Sequence, residues 1–433
     1  MKTKISTKTL SGFNEYLPED QLAFNKMSDL IVSVYESFGF MPIDTPVLER
    51  QEVLLAKAGG ETEKQIYCLE KGDEKLALRF DLTIPFARYV SEHFANLVFP
   101  FRRYQIAKVY RGERPQRGRF REFYQADIDI VGEGELSLLA DAEVIKVINE
   151  VFTKLEIGAF KIRLNNRKLL SGFLESLNLQ DKSSEILIVI DKLDKIGEAG
   201  VQIALEEITS AEAAKSILHF ITTKDNVLEK LIALKIDNET FKSGLMELQE
   251  LLAYLKYLSV PEENYQIDLT IARGLDYYTG MVCETSLVNF PQIGSVCSGG
   301  RYNNLTANYS DKKLPGVGVS IGLSRLFYQL KEAGLIKSDK LSNLDILLIS
   351  ENLKVAAKLA DELRASGLSV AGAYGSDKFK KKLSLANRLG VKWVLILGED
   401  EISGAYFSLK NMLSGEQFKL FSAVEVIEKI NKS

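Results

Sequence analysis

"YRGERPQRGRFREFYQADIDIVG", residues 110–132, decides how this chain is read. Five arginines fall in its first dozen positions, and Asp127 and Asp129 sit in an otherwise apolar run at its end. The whole protein carries a formal charge of -4, so the arginines are a local arrangement. Strand side chains alternate between two faces. The odd positions are Arg119, Arg121, Phe123, Gln125, Asp127 and Asp129; the even ones are Phe120, Glu122, Tyr124, Ala126, Ile128 and Ile130. One face is mainly apolar, and the other runs from guanidinium through a ring and an amide to carboxylates. In the preceding strand, Arg111 and Glu113 share a parity with Arg103 and Gln105. The loop near 112–118 is rich in Arg, Pro and Gly, the pattern of a hairpin with an elongated tip. Such a face is either solvated and laced with ion pairs, or a graded site. The site would offer arginines to phosphates, Phe123 to a base, and Gln125 with Asp129 to a cationic, donor-rich group. Carboxylates set into an Ile-rich strand favour the site.

Composition narrows the chemistry. A chain of 433 residues, 46% apolar, has room for about three domains with ordinary cores. The start, "MKTKISTKTL", is polar and leads into no apolar segment of signal-peptide type. No apolar run is long enough to span a membrane. Cys68, Cys283 and Cys297 are sparse and odd in number, which suits reduced thiols in a cytoplasmic protein. Only His93 and His219 occur, so a Ser-His-Asp triad or a His-rich metal cluster is not expected. Chemistry should rest on positioning and charge stabilisation.

Along the chain, residues 20–38 have helical periodicity and "GFMPIDTPVLE" reads as extended and Pro-punctuated. "KLALRFDLTIPFARYV" reads as a strand entering a helix after Asp81. From 168 to about 260 the pattern is helical, without Gly-rich or Arg-rich loops, as in an inserted domain. Strands with Gly-rich turns return over 265–327, and after a polar joint the tail alternates strands and helices. The expected division is therefore 1–167, 168–260, 261–335 and 343–433, in an α+β chain with a C-terminal α/β domain.

Three further stretches carry candidate ligands. "IARGLDYYTG" holds Arg273, Asp276, Tyr277 and Tyr278, which fit either a site or a structural Arg-Asp bridge beside buried tyrosines. "CSGGRYNNL" reads as a double-Gly turn before Arg301 and Tyr302, and "LPGVGVSIGLSRL" as a Gly-rich strand entering a helix that carries Arg325. Neither GxxxxGK[ST] nor a strand-borne GxGxxG is present, so a nucleotide would be held by another device.

Together these segments resemble a family. "FGFMPIDTPVLE", "VYRGERPQRGRFREFYQADIDIVG" and "GVGVSIGLSRL" are similar to motifs 1, 2 and 3 of the class II aminoacyl-tRNA synthetases. "RGLDYYTG" and "SGGRYNNL" resemble the two signatures of the histidyl-tRNA synthetases. The resemblance implies an antiparallel-sheet catalytic core, a helical insertion and an anticodon-binding tail. It implies L-histidine, ATP with Mg2+, and tRNA(His) as ligands, a homodimer, and no membrane.

Residue roles follow from the same resemblance. Arg111 matches the α-phosphate contact, Glu113 the carboxylate near adenine, Phe123 the ring stacked on it, and Arg325 the γ-phosphate contact. Asp81 and Thr83 match the groups that hold the α-ammonium, with Gln125 beside them. Asp129 and Tyr278, helped by Tyr302 and grouped with Tyr277, match the imidazole pocket. Arg273 matches an arginine that spans the carboxylate and α-phosphate. Arg114 and Gln116 resemble readers of the tRNA acceptor end, and the basic run "DKFKKKLSLANR" fits a nucleic-acid backbone. Where "RFDLT" stands, many bacterial members read Arg-Pro-Glu-Gly-Thr; the Asp form looks like the eukaryotic and archaeal branch. The metal ligands and the role of Asp127 are not given.

Overall fold

A computed structural model of the chain describes residues 5–56, 61–271, 278–303, 305–336, 341–374 and 377–432. It divides into two compact units, one of residues 1–14 and 27–335, the other of 15–26 and 336–433.

The first unit is built on an eight-stranded sheet. In spatial order its strands are Met41–Pro42, Phe101–Tyr110, Glu122–Val131, Gly316–Ile321, Ser295–Tyr302, Met281–Leu287, Phe160–Asn166 and Tyr265–Ile267. The six central strands are antiparallel, and the short strand at each edge is parallel to its neighbour. The long hairpin is formed by Phe101–Tyr110 and Glu122–Val131, with its alternation as the sequence indicates. Ala126, Ile128 and Ile130 are completely buried on one face. Helix Leu139–Lys154 packs against that hairpin and the next strand, burying Ala142, Val144, Ile145 and Ile148. Tyr35, on the N-terminal helix Pro18–Ser37, donates its hydroxyl to the Ala126 carbonyl at 3.2 Å. One face is thus sealed, and the polar face is left to form a site.

Register decides what that face holds. Arg103 pairs with Asp129, Asp129 with Gly318, Gly318 with Gly300, and Gly300 with Val282. The expected double-Gly turn is not a turn: Gly299 and Gly300 lie inside strand Ser295–Tyr302. Their use is close approach. A Cβ on Gly299 would lie 2.1 Å from the Gly318 carbonyl, and one on Gly300 2.4 Å from that of Met281 and 2.9 Å from the Tyr278 ring.

Residues 167–257 are mainly helical. The first helix, Arg167–Ser176, starts where a sheet strand ends, with the Asn166 side chain accepting from the Lys168 N–H at 3.0 Å. The last, Glu239–Tyr257, packs back on it, and Phe173 stacks on Phe220 with centroids 4.2 Å apart. The chain then re-enters the same sheet edge at Tyr265–Ile267.

The second unit carries a five-stranded sheet in the order Val370–Gly372, Ile346–Ser350, Trp393–Leu397, Phe407–Asn411, Gln417–Leu420. The first three strands run parallel and the last two antiparallel. Strand Gln417–Leu420 is not among the sequence expectations, although its Gln-Phe-Lys-Leu alternation signals an edge strand. Of the basic run, Lys378, Lys380, Lys381 and Arg388 are exposed, whereas Lys382 is buried.

Replacing Gly299 with Ala should destabilise the protein by about 1–3 kcal/mol, the usual cost of forcing atoms into a packed interior. Denaturant unfolding checks this, and an unchanged midpoint would contradict it.

Candidate active site

The polar face opens into a cleft of about 540 Å³ lined by Phe80, Arg111, Glu113, Phe123, Gln125, Tyr278, Ser320 and Arg325, among others. Its floor is ionic. Arg103 is completely buried and pairs with Asp129 at 2.5 Å, while Tyr302 donates to the other Asp129 oxygen at 2.8 Å. The Arg103 guanidinium lies 4.3 Å from the Phe86 ring centroid. Burial pushes the Tyr302 phenol well above its usual range, so it stays a donor. The glycines make this possible: a Cβ at Gly318 would lie 2.0 Å from Asp129 Oδ1, and one at Gly316 2.4 Å from the Tyr302 ring. Tyr302 therefore acts on Asp129 instead of lining the open cleft.

Asp127 and Asp81 complete an acidic floor. Burial raises Asp127 to about 7, against Arg103 and a Ser320 hydrogen bond that lower it. Burial likewise raises Asp129 to about 6, against Arg103 and Tyr302. Asp81 is also raised by burial, opposed by the Ile84 N–H, Arg111, the Thr83 N–H and Arg103. Its Oδ1 caps helix Thr83–Glu92 through the Thr83 and Ile84 amides at 3.1 and 2.9 Å. One carboxylate oxygen of Asp81 thus holds a helix start, and Thr83 is fixed as the first residue of that helix.

At the other end stand the arginines. Arg111 donates to the Phe80 carbonyl at 3.3 Å, with the Phe80 and Phe123 ring centroids 4.4 and 5.1 Å from its guanidinium. Arg325 is in the first turn of helix Leu323–Glu332 and donates to the Ile293 carbonyl at 2.6 Å. The loop between the hairpin strands folds back on that helix. Gly118 fits against Gln329, where a Cβ would lie 2.4 Å from Nε2, and Phe120 meets Tyr328 edge-on at 5.6 Å. Arg114 and Gln116 are exposed at the loop tip, where Gln116 and Arg119 exchange backbone hydrogen bonds.

The structure therefore brings Arg111, Glu113, Phe123, Gln125, Tyr278 and Arg325 to one cleft, over Asp129 and Tyr302. Arg273 and Tyr277 lie outside the described residues. Arg301 is turned away: its guanidinium clamps Asp141 and the carbonyls of Leu136 and Ser137. Three contributors receive no role from the sequence, although parity places Arg103 on the face of Arg111. Arg103 shares the parity of Asp129 on the partner strand, a signal that register would have revealed. Ser320 lies opposite Asp127. The N-terminal segment, read only as polar, supplies the Gly12 carbonyl that accepts from the Arg121 N–H at 2.8 Å and steadies the loop's end. Among the described residues no group of three or more His, Cys, Asp or Glu side chains could hold a metal ion.

Known proteins resemble this chain. The family profile described as "Histidyl-tRNA synthetase" matches residues 12–326, and that described as "Anticodon binding domain" matches 344–433. A histidine--tRNA ligase of Clostridium tetani is 50% identical over 437 residues, covering 99% of each chain. The chain belongs to the histidyl-tRNA synthetase family. The crystal structure of a histidyl-tRNA synthetase from Nostoc is 39% identical, with a TM-score of 0.88 over 99% of this chain and 100% of the other. A Bacillus halodurans structure titled as an ATP phosphoribosyltransferase regulatory subunit/histidyl-tRNA synthetase shares the fold at 21% identity, with a TM-score of 0.77 over 92% and 99% of the two chains.

The acidic floor has a consequence for stability. Asp127 and Asp129 hold protons more tightly folded than unfolded, so the protonated pair stabilises the protein fully below about pH 4. That contribution is lost as pH rises through about 6 and about 7. Thermal unfolding of the ligand-free protein from about pH 4.5 to 7.5 should show this fall, flattened in Asp127→Asn; an unaltered slope would contradict it.

Proposed function

We infer that the protein activates L-histidine with ATP and charges tRNA(His). Family membership over nearly the whole chain supports this, and the buried Arg103–Asp129–Tyr302 floor beneath an arginine-walled cleft carries it in the structure. In the first step a histidine carboxylate oxygen attacks the α-phosphorus of ATP. A P–O bond forms, the bond to the β-phosphate oxygen breaks, and pyrophosphate leaves. The acyl group then passes to the 3′-terminal ribose of the tRNA, releasing AMP. Arg111 and Arg273 would stabilise charge building at phosphorus, with Phe123 and Glu113 at adenine and Arg325 at the outer phosphate. Neither step relies on a histidine general base, in keeping with the scarcity of that residue. Mg2+ would arrive chiefly on the ATP phosphates, since the described residues offer no cage for it.

For histidine, Asp129 and Tyr278 would pair with the imidazole, Tyr277 and Tyr302 would complete that pocket, and Asp81, Thr83 and Gln125 would meet the α-ammonium. Asp129 is suited to an imidazole N–H because each of its oxygens is already fixed by one donor. A site built to hydrogen-bond both imidazole nitrogens rejects analogues lacking them by roughly 10⁴ or more. Residues 1–167 and 261–335 would form the catalytic core, 168–260 the insertion, and 343–433 the anticodon-binding domain. Arg114 and Gln116 at the loop tip would read the acceptor end, and Lys378, Lys380, Lys381 and Arg388 would meet tRNA phosphates. The homodimer and cytoplasmic location belong to the same proposal.

Pyrophosphate exchange run with each amino acid should proceed with histidine alone; exchange with none would favour a binding-only protein like the regulatory subunit. Asp129→Ala should raise the histidine KM by roughly tenfold to a hundredfold, the cost of losing a charge-assisted hydrogen bond, and leave the ATP KM nearly unchanged. Equal shifts would count against the imidazole contact. Arg273→Ala should abolish adenylate formation with histidine binding largely spared; exchange near the wild-type rate would remove Arg273 from its role.

A further inference from the structure

Asp127 shares a face with Gln125 and Asp129, two residues to either side, and pairs in register with Ser320 of the adjacent strand. Its position is expensive. It is 2% exposed, near Asp129 and Asp81, and its Oδ1 has no hydrogen-bond partner. A carboxylate kept in such a place costs several kcal/mol unless something meets it.

The bonds around Ser320 show what it does. Gln125 donates from Nε2 to Ser320 Oγ at 2.6 Å, and the Ser320 hydroxyl, opposite Asp127 in register, lowers the proton affinity of that carboxyl. A hydroxyl has one proton, and an ionised carboxylate only accepts. With Asp127 ionised, as it is above about pH 7, Ser320 gives its proton to Asp127 and accepts from Gln125. The direction of the whole chain is fixed, and with it the Gln125 amide: Nε2 is spent on Ser320 and Oε1 is left without a partner, buried at the cleft. Remove the carboxylate or the hydroxyl, and the amide is free to turn its N–H2 toward the ligand. Asp127 Oδ1 and Gln125 Oε1 are then two buried acceptors awaiting donors on one face, on residues whose Cα atoms are about 6–7 Å apart along the strand. Asp81, whose Oδ1 is committed to its helix, adds a second carboxylate. An ammonium has three donors and a positive charge, and its charge also favours the ionised Asp127 that the chain requires.

We propose that Asp127 and Ser320 are positioning residues for the α-ammonium of the amino-acid substrate. Asp127, acting through Ser320, holds the Gln125 carbonyl oxygen toward the ammonium and places a compensating negative charge behind it. The proposal deepens the histidine-activating function and rests on it. It gives Ser320, on the strand before the Arg325 helix, a part in amino-acid selection that its small size conceals.

The test compares histidine with 3-(imidazol-4-yl)propionate, which keeps the ring and carboxylate and lacks the α-amino group. Wild-type exchange with histidine establishes the functional reading separately. In Ser320→Ala and Asp127→Asn, the histidine KM should rise about tenfold or more at an unchanged ATP KM, which also reports that the fold is intact. Inhibition by the desamino analogue should stay within about twofold of wild type, because that ligand never used the ammonium contacts. Ser320→Thr, which keeps the hydroxyl on a residue suited to strands, should restore most of the histidine affinity. Variants that lose both ligands equally, or that keep the wild-type preference for histidine, would overturn the relay and leave the synthetase reading standing.

Discussion

Arg103 lies completely buried on the second strand of the large sheet, and the site depends on the pair it makes with Asp129. It lowers the proton affinity of Asp81, Asp127 and Asp129 alike, against the burial that raises all three. Without that cation Asp127 and Asp129 would sit together in a low-dielectric floor with hydrogen bonds to hold them charged, and Asp81 would keep only Arg111 and its helix amides. With it they form an anionic surface one layer beneath a cleft whose far end carries Arg111 and Arg325. A zwitterionic amino acid whose carboxylate meets a polyphosphate needs this polarity. In the proposed reading its cationic end would face carboxylates, and its reacting end guanidinium groups.

The sheet makes room for this by omitting side chains. Gly316, Gly318 and Gly300 stand where a Cβ would collide with Tyr302, Asp129 and Tyr278 respectively. The tyrosine and carboxylate can then lean across neighbouring strands, and the Tyr302–Asp129 bond forms within the sheet instead of above it. Rigidity follows, because each partner's rotamer is fixed by close contact on both sides. The loop that bears Arg114 and Gln116 is held differently, by Gly12 at its base and by the Arg325 helix at its tip. Arg325 and the anchors of the loop therefore share one helix.

The hairpin, its polar face and its apolar back were legible because a two-residue period is a strong signal over ten residues. Asp81 opening a helix and Arg325 in a helix's first turn were also readable, since capping and Gly-rich strand ends are local events. What depended on register was not. Arg103 and Ser320 are ordinary in sequence and matter because the strand pairing sets them opposite Asp129 and Asp127. The double glycine was mistaken for a turn for the same reason: its need for space comes from strands some twenty residues away, not from its own backbone angles. Lys382 was counted with a solvent-facing basic run, although helical periodicity turns it inward.

The central claim is that Arg103 keeps the floor ionised for a cationic ligand, and calorimetry of histidine binding to Arg103→Met tests it most directly. Methionine fills much of the same volume without charge, so the carboxylates should take up protons near neutral pH. Histidine affinity should fall by roughly tenfold or more and recover in part toward about pH 8.5 as they ionise, with ATP affinity little changed. Wild-type histidine affinity at neutral pH in this variant would contradict the account.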